Sequence, residues 1–210
     1  MKKQQQKAAL LFSAIALAGM AFANDASAQC SRETLQTLAD TYVQAQKAGN
    51  AALLPLAANA SYAENDKVMD ITTGILTEAL TVDFTRSLHD TTQCATFTEL
   101  VAATHSHPYV IHTRMEATAD GKVTKMESIV TDDGDWVFGA AEHLAVTKTE
   151  SWGEIPADKR DSRAVIQAAA DAYLNNWGDP ELPVPHGTPC SRPEGRISTA
   201  ARDPAGQTCT

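Results

Sequence analysis

The chain has 210 residues, 43% of them hydrophobic, and a formal net charge of -9 at pH 7. That length gives one domain of ordinary size with a real core, plus something extra. An acidic balance of this kind argues against nucleic acid and anionic membrane surfaces as partners.

The first seven residues carry Lys2, Lys3 and Lys7, and Ala8 to Ala23 is an apolar run as long as a signal-peptide core. Ala26-Ser27-Ala28 follows as a small-residue cleavage pattern. The run is broken by Ser13 and Gly19 and is short for the ~20 apolar residues that span a bilayer. The expectation is export with cleavage before Gln29, a periplasmic or secreted product, and no membrane contact afterwards. Lys2, Lys3, Lys7 and Asp25 leave with the leader, so the product is more acidic still.

Cys30, Cys94, Cys190 and Cys209 remain, an even number in an exported chain, which makes disulfides the default. Four cysteines allow three pairings, and sequence does not choose among them. The favoured set is Cys30 with Cys94 and Cys190 with Cys209, because the second bond ties down a tail with no other visible anchor. Metal ligation or a catalytic thiol fits poorly. There is no Cys-x-x-Cys spacing, and oxidising surroundings remove thiolates.

Ser31 to Ala48 reads as an amphipathic helix, with Leu35, Leu38, Tyr42, Val43 and Ala45 at helical spacing, Ser31 as N-cap and Gly49-Asn50 as the stop. Ala51 to Ala58 is predicted as a shorter helix that Pro55 opens or bends. Ala60 to Glu64 alternates as a short strand, with Tyr62 and Glu64 on one side and Ser61 and Ala63 on the other. After a turn at Asn65-Asp66-Lys67, a short helix is predicted around Gly74 to Leu80. Asp83 to Asp90 fits either strand or helix, and Thr91 to Ala103, rich in Thr, Val and Phe, reads as a strand.

Thr104-His105-Ser106-His107-Pro108 is a turn leading into Tyr109 to Val130, two alternating runs joined by Ala119-Asp120-Gly121-Lys122. Asp-Gly between alternating runs signals a β-hairpin. One side of its first strand takes His112, Arg114 and Glu116, and Lys125 and Glu127 share a face of the second. A sheet face with this much charge either looks at water or lines a polar pocket. Asp132-Asp133-Gly134-Asp135 closes the hairpin, and Trp136-Val137-Phe138 follows as a short apolar run.

An internal echo recurs 131 residues on. Ser31-Arg32, Leu35-Gln36, Ala39-Asp40 and Tyr42-Val43 are matched by Ser162-Arg163, Ile166-Gln167, Ala170-Asp171 and Tyr173-Leu174. The second copy breaks off, since Trp177 to Thr210 is dense in Pro and Gly. One helix makes no core of its own, so this segment must dock on the first domain or on another subunit. Its tail, with Pro180, Pro183, Pro185, Pro189 and Pro193, is expected to be extended and placed to cover a pocket mouth. The division is a signal peptide at 1–28, a domain at 29–148, and a helix with a Pro-rich, disulfide-tied extension at 149–210.

Two helices followed by mostly antiparallel strands define an α+β domain whose helices cover one face of a curved sheet. The cysteine-led first helix with its Asp-x-Tyr element, "LPLAANASYAEN" and "HTRMEATADGKVTKMESIVT" together resemble the nuclear transport factor 2-like superfamily, in its polyketide-cyclase-like (SnoaL-like) branch. The resemblance covers about Ser31 to Leu144. It implies a cone-shaped barrel, helices packed in a strongly curved sheet around a deep pocket, no cofactor, and dimers or trimers. Within it are isomerases, dehydratases, cyclases, lyases and plain binding modules. The export signal and the "HGTPCSRPEG" tail are similar to the cofactor-independent lyases that act on lignin-derived diarylpropanes and release formaldehyde, leaving a stilbene.

On that footing Tyr62, Lys125, Arg114 and His105 are the candidate catalytic residues, and Glu127, His112 and Glu64 the candidate substrate contacts. Arg114 and Lys125 on one hairpin face would favour a phenolate or enolate, and a neighbouring cation lowers a lysine's pKa toward use as a base. The alternative is that Lys125 pairs with Glu116 or Glu127 on a solvated face. Tyr62 can exchange a proton with a substrate oxygen, or can simply be a half-buried tyrosine. His-x-His with His112 would in principle supply two or three metal ligands, but no acidic or cysteine ligand stands at a supporting spacing, so no metal is expected. The expected partner is a small aromatic substrate. A non-catalytic module for a hydrophobic ligand, or an isomerase or dehydratase on the same scaffold, are the alternatives.

Overall fold

The computed structural model describes residues 29–187, 190 and 192–198. The expected leader lies outside these residues. The chain begins on α1 (Arg32–Ala48), where the Ser31 hydroxyl accepts from Thr34 N–H at 2.9 Å. Leu35, Leu38, Tyr42 and Ala45 form its buried stripe, and each large apolar side chain so covered contributes about 1.5–3 kcal/mol.

Six strands follow: β1 (Leu56–Glu64), β2 (Lys67–Val68), β3 (Phe84–Asp90), β4 (Ala95–Ala102), β5 (Tyr109–Ala117) and β6 (Val123–Thr131). They form one curved sheet in the order β2-β1-β6-β5-β4-β3, antiparallel except for the parallel pair β1 and β6. The α+β class and the helix-covered curved sheet are those the pattern of elements implied. Gly121, at φ 82, turns the β5–β6 hairpin where Asp-Gly predicts it.

Alternation divides the sheet into two faces. The inner face carries Ile111, Thr113, Met115, Met126 and Val130 against α1, and the Tyr42 hydroxyl meets Thr113 Oγ1 at 2.8 Å. The outer face carries His112, Arg114, Glu116, Lys125 and Glu127. Its β4 end is covered by α2 (Ala140–Thr147), where Ala140 packs against Val101 and Val110.

Two predicted helices take other forms. Residues 51–58 give one 3-10 turn at Ala51–Leu53 and then enter β1. Pro55 has no N–H for a helix, and its carbonyl instead accepts from Val123 N at 2.9 Å, which starts the pairing with β6. The segment around Gly74 to Leu80 contains only the 3-10 turn Ile75–Thr77. Asp83 to Asp90 resolves as strand, because β3 pairs along its whole length with β4.

The internal echo is visible in α3 (Arg163–Asn176). Its N-cap Ser162 accepts from Val165 N, as Ser31 does from Thr34 N, and Gln167 donates to Asp171 at 2.8 Å as Gln36 does to Asp40 at 2.9 Å. Unlike α1, α3 buries none of its residues. Arg163 holds it to the sheet through Asp90 at 2.6 and 3.0 Å. The tail folds back along α3, with Asn176 donating to the Leu182 carbonyl, and ends in a small ribbon of β7 (Pro193–Glu194) and β8 (Ile197–Ser198). Arg196 N bonds to Val137 O at 2.9 Å, so the tail docks on the loop before α2.

Cys30 and Cys94 are joined and pack with Leu35 in a small cluster. Cys190 is also disulfide-bonded, and Cys209, its favoured partner from sequence, lies outside the described residues. Such bonds fit an oxidising compartment. No helix among the described residues is long and apolar enough to cross a membrane.

Candidate functional site

A cleft of about 270 Å³ opens on the inner face beside β1. Leu56, Met69, Ile71 and Met126 give it an apolar lining, and Ala60, Ser61, Tyr62 and Asp70 complete the wall. Tyr62 is only 4% exposed, and its hydroxyl donates to Glu64 Oε2 at 2.6 Å. The same oxygen accepts Ile75 N–H at 2.8 Å. Tyr62 and Glu64 meet because residues two apart on a strand share a face. Burial raises the Tyr62 pKa, and the Glu64 carboxylate raises it further by holding the phenol proton, so Tyr62 is neutral at any ordinary pH. Behind it, Tyr42, Thr113 and Ser128 form a hydroxyl chain with contacts of 2.8 and 2.9 Å.

Lys125 and Arg114 do not join Tyr62. Tyr62 pairs with Met126, whereas Lys125 pairs with Ser61 and faces out. Lys125 reaches Glu127 at 2.8 Å, and Arg114 pairs with Glu116 and, at 3.9 Å, with Glu127. The side chains of Arg114, Lys125 and Glu127 are 37%, 45% and 43% exposed. Pairs this open to water contribute about 0–1 kcal/mol. The predicted two-cation wall is therefore a solvated, self-neutralised ladder. The charged ends of Arg114 and Lys125 are taken up by Glu116 and Glu127 and make no contact with Tyr62.

The histidines separate as well. His105 Nε2 lies 3.3 Å from Glu78, and His107 Nε2 lies 2.9 Å from Asp132. Both flank Tyr109, whose hydroxyl donates to Glu78 at 3.2 Å. His112 faces the outer side, stacked on Phe97 with ring centroids 5.7 Å apart. The His-x-His run and His112 thus form no common site.

What His112 joins instead was not visible in the sequence. Glu99, opposite it on β4, and His143 on α2 bring three ligand-type atoms within 4.8 Å of one another. Glu99 Oε1 accepts from His143 at 2.7 Å and from Thr147 at 3.0 Å, while Oε2 meets Arg86 at 2.7 Å. Arg86 also bonds Glu150 at 2.7 Å and lies under Trp152, 4.4 Å from the ring centroid. Burial alone would raise the Glu99 carboxyl, but bonds from His143, Arg86 and Thr147 outweigh it and bring the pKa to about 2. Burial lowers the His112 pKa; Glu99 pulls it back, and His143 and Arg86 push it down again. A signal existed in β4 itself, since Glu99 interrupts a strand otherwise made of Thr, Ala, Phe, Leu and Val. The α2 partner lacked one, because Gly139 gives the helix no side-chain cap.

The family described as "Domain of unknown function (DUF8021)" matches residues 159–210, which hold α3 and the tail. No curated protein matches the chain. Among solved structures, an NTF-2 like protein of unknown function from Burkholderia xenovorans LB400 is similar at 14% identity and a TM-score of 0.39. The match covers 58% of this chain and 97% of that one.

Proposed function

We propose that the chain binds a small, largely apolar aromatic molecule in the inner-face cleft, with Tyr62 as a polar contact and Glu64 holding its phenol. The observation that carries this reading is a phenol, held by Glu64, at the wall of a cleft whose apolar lining is Leu56, Met69, Ile71 and Met126 and whose other polar groups are Ser61 and Asp70. Ligand sites are commonly apolar pockets with a few convergent polar groups. While Tyr62 donates to Glu64, its oxygen still accepts a bond from a ligand hydroxyl. The volume, about 270 Å³, sits just below the usual span of ~300–1,000 Å³ for drug-sized ligands, so the part enclosed is a single substituted ring.

A cofactor-free lyase acting on a phenolic diarylpropane is the finer reading, and the 2.6 Å bond between Tyr62 and Glu64 supports it. Such a pair can relay a proton between a ligand oxygen and a carboxylate. With Arg114 and Lys125 on the other face, that chemistry would run without a cation in contact with the developing oxyanion.

Calorimetric titration of the full chain with a phenolic diarylpropane diol, with formaldehyde and stilbene absorbance followed in the same samples, tests both. Saturable binding that weakens in Tyr62→Phe and is blocked by Ile71→Trp supports the site. Formaldehyde and stilbene together support the lyase, and their absence despite binding leaves a binding module. No binding by the wild type, or binding indifferent to both variants, overturns the proposal.

A further inference from the structure

The cluster on the outer face has a composition that the inner-face ligand site does not use. Glu99 and His112 come from directly paired positions on β4 and β5, and His143 comes down from α2. Pairing across a ladder and packing of a helix on that ladder fix all three side chains to rigid elements, the arrangement in which a binding constellation is held most closely. Their ligand atoms are already within 4.8 Å of one another.

Hydrogen bonding inside the cluster is uneven. Glu99 and His143 share a bond at 2.7 Å. The half-buried imidazole of His112, by contrast, makes ring contacts with Phe97 and His143 but no hydrogen bond among the described residues. It lines a cleft of about 220 Å³ together with Glu99, Arg86, Leu88, Phe97 and Trp152. An imidazole nitrogen without a partner, beside a carboxylate and a second imidazole, is a ligand position in search of an ion.

Charge agrees. Glu99 and Glu150 bring two carboxylates, and Arg86 brings one guanidinium, so with neutral imidazoles the cluster carries one net negative charge. Arg86 occupies Glu99 Oε2, while Oε1 meets His143 and Thr147 on the side of the histidines. Arg86 and Thr147 then orient the carboxylate from behind, as outer groups do around bound metals.

We propose that Glu99, His112 and His143 form a site for one divalent transition-metal ion, zinc or a similar cation, on the face opposite the Tyr62 cleft. Two imidazoles and one carboxylate suit such an ion, and three protein ligands leave a coordination position open. Glu99 and His112 line a cleft of about 220 Å³ that would admit water or a small ligand to such a position. On binding, the metal replaces the proton shared by His143 Nε2 and Glu99 Oε1, and that proton leaves to solvent or moves to the other ring nitrogen. The site is independent of the inner-face ligand, so failure of either proposal leaves the other standing.

The test is titration of metal-free full-length chain with Co²⁺, read by its visible ligand-field bands, followed by competition with Zn²⁺. One equivalent is expected to bind, and the bands should disappear on adding zinc. His112→Phe keeps the stacking on Phe97 while removing the ligand atom. Both it and His143→Gln should weaken binding by at least about tenfold, the lower end of what even outer-shell losses cost. His107→Ala serves as the control and should bind as the wild type does. X-ray absorption of the zinc-loaded wild type should show two imidazoles, and it stands even where a variant fails to fold. Absence of Co²⁺ bands, binding unchanged in both variants, or fewer than two imidazoles overturns the assignment.

Discussion

Tyr62 and Lys125 stand on opposite faces of one sheet: Tyr62 pairs with Met126 and points inward, and Lys125, one position earlier on β6, pairs with Ser61 and points out. Because side chains alternate along a strand, Lys125 leaves the sheet on the side away from Tyr62, and its amine ends on Glu127. In this arrangement Tyr62 and Lys125 share no contact, and the lysine amine is held by Glu127 at 2.8 Å. The group that does meet Tyr62 is Glu64, two residues along the same strand.

Lys125→Met follows directly. Its partner is Glu127 at 2.8 Å on a face where both side chains are more than two-fifths exposed. Losing that pair should cost about 0–1 kcal/mol of stability. Ligand affinity at the inner cleft should stay within about twofold of wild type, since the charge lies across the sheet and water screens it. Thermal melts and calorimetry of the variant check both. A large loss of affinity would mean that the ligand binds on the outer face.

Gly74→Ala should act in the other direction. A Cβ at residue 74 would stand 2.6 Å from Glu64 Oε2 and 2.7 Å from Tyr62 Cε1, closer than real contacts allow. Since φ there is -92°, the obstacle is the space and not the backbone. The Tyr62 and Glu64 side chains would have to part, at the roughly 1–3 kcal/mol typical of overpacking, and ligand affinity should fall with them. Gly153→Ala, with open space around the added carbon, is the matched control and should be silent. Urea midpoints for the two variants separate the cases.

The elements that sequence revealed are those governed by local chemistry. Ser31 caps α1, Asp-Gly turns the hairpin, and alternation assigns the faces of β5 and β6. What period alone cannot give is which face is inside, because a charged stripe reads alike against water and against a pocket. That choice was settled by α1 packing on the Thr113 side and by α2 on the Glu99 side, both contacts between distant parts of the chain. The outer cluster was hidden for the same reason. Glu99, His112 and His143 are spread over 44 residues and converge only through the β4–β5 ladder and the docking of a short helix without a side-chain cap.

Removing the Cys30–Cys94 bond should loosen the start of α1. The bond closes a separation of 64 residues and buries both cysteines against Leu35. Loss of such a bond typically costs about 2–5 kcal/mol, largely by freeing the unfolded chain. The double variant Cys30→Ala with Cys94→Ala should show a lower denaturant midpoint and an unfolding free energy lower by that amount. It isolates this bond from the one at Cys190, which a reductant would also break. An unfolding free energy within about 1 kcal/mol of wild type would show that α1 docks without the crosslink.

The tyrosines offer a test of the inner face that needs no ligand. Burial raises the pKa of Tyr42 and of Tyr62, and Glu64 adds to both. Tyr109 is pushed up to about 12, first by burial and then by the Glu78 carboxylate that its hydroxyl faces. A pKa raised by folding means that the native state holds the proton more tightly than the unfolded chain does. The associated stability is fully present below the unfolded value of about 10 and is lost as pH rises through and beyond it. Three of the four tyrosines should therefore resist ionisation at about pH 11, where the unfolded chain has mostly titrated. Absorbance near 295 nm, compared between native and urea-unfolded protein, reads this directly. The native increment should be a fraction of the unfolded one, and the missing part should emerge only when alkali unfolds the chain. Tyr62→Phe should leave the native increment almost unchanged, because the residue removed is one that did not titrate. A full native increment at that pH would mean that Tyr62 and Tyr42 are open to water and that the inner cleft is not closed around them.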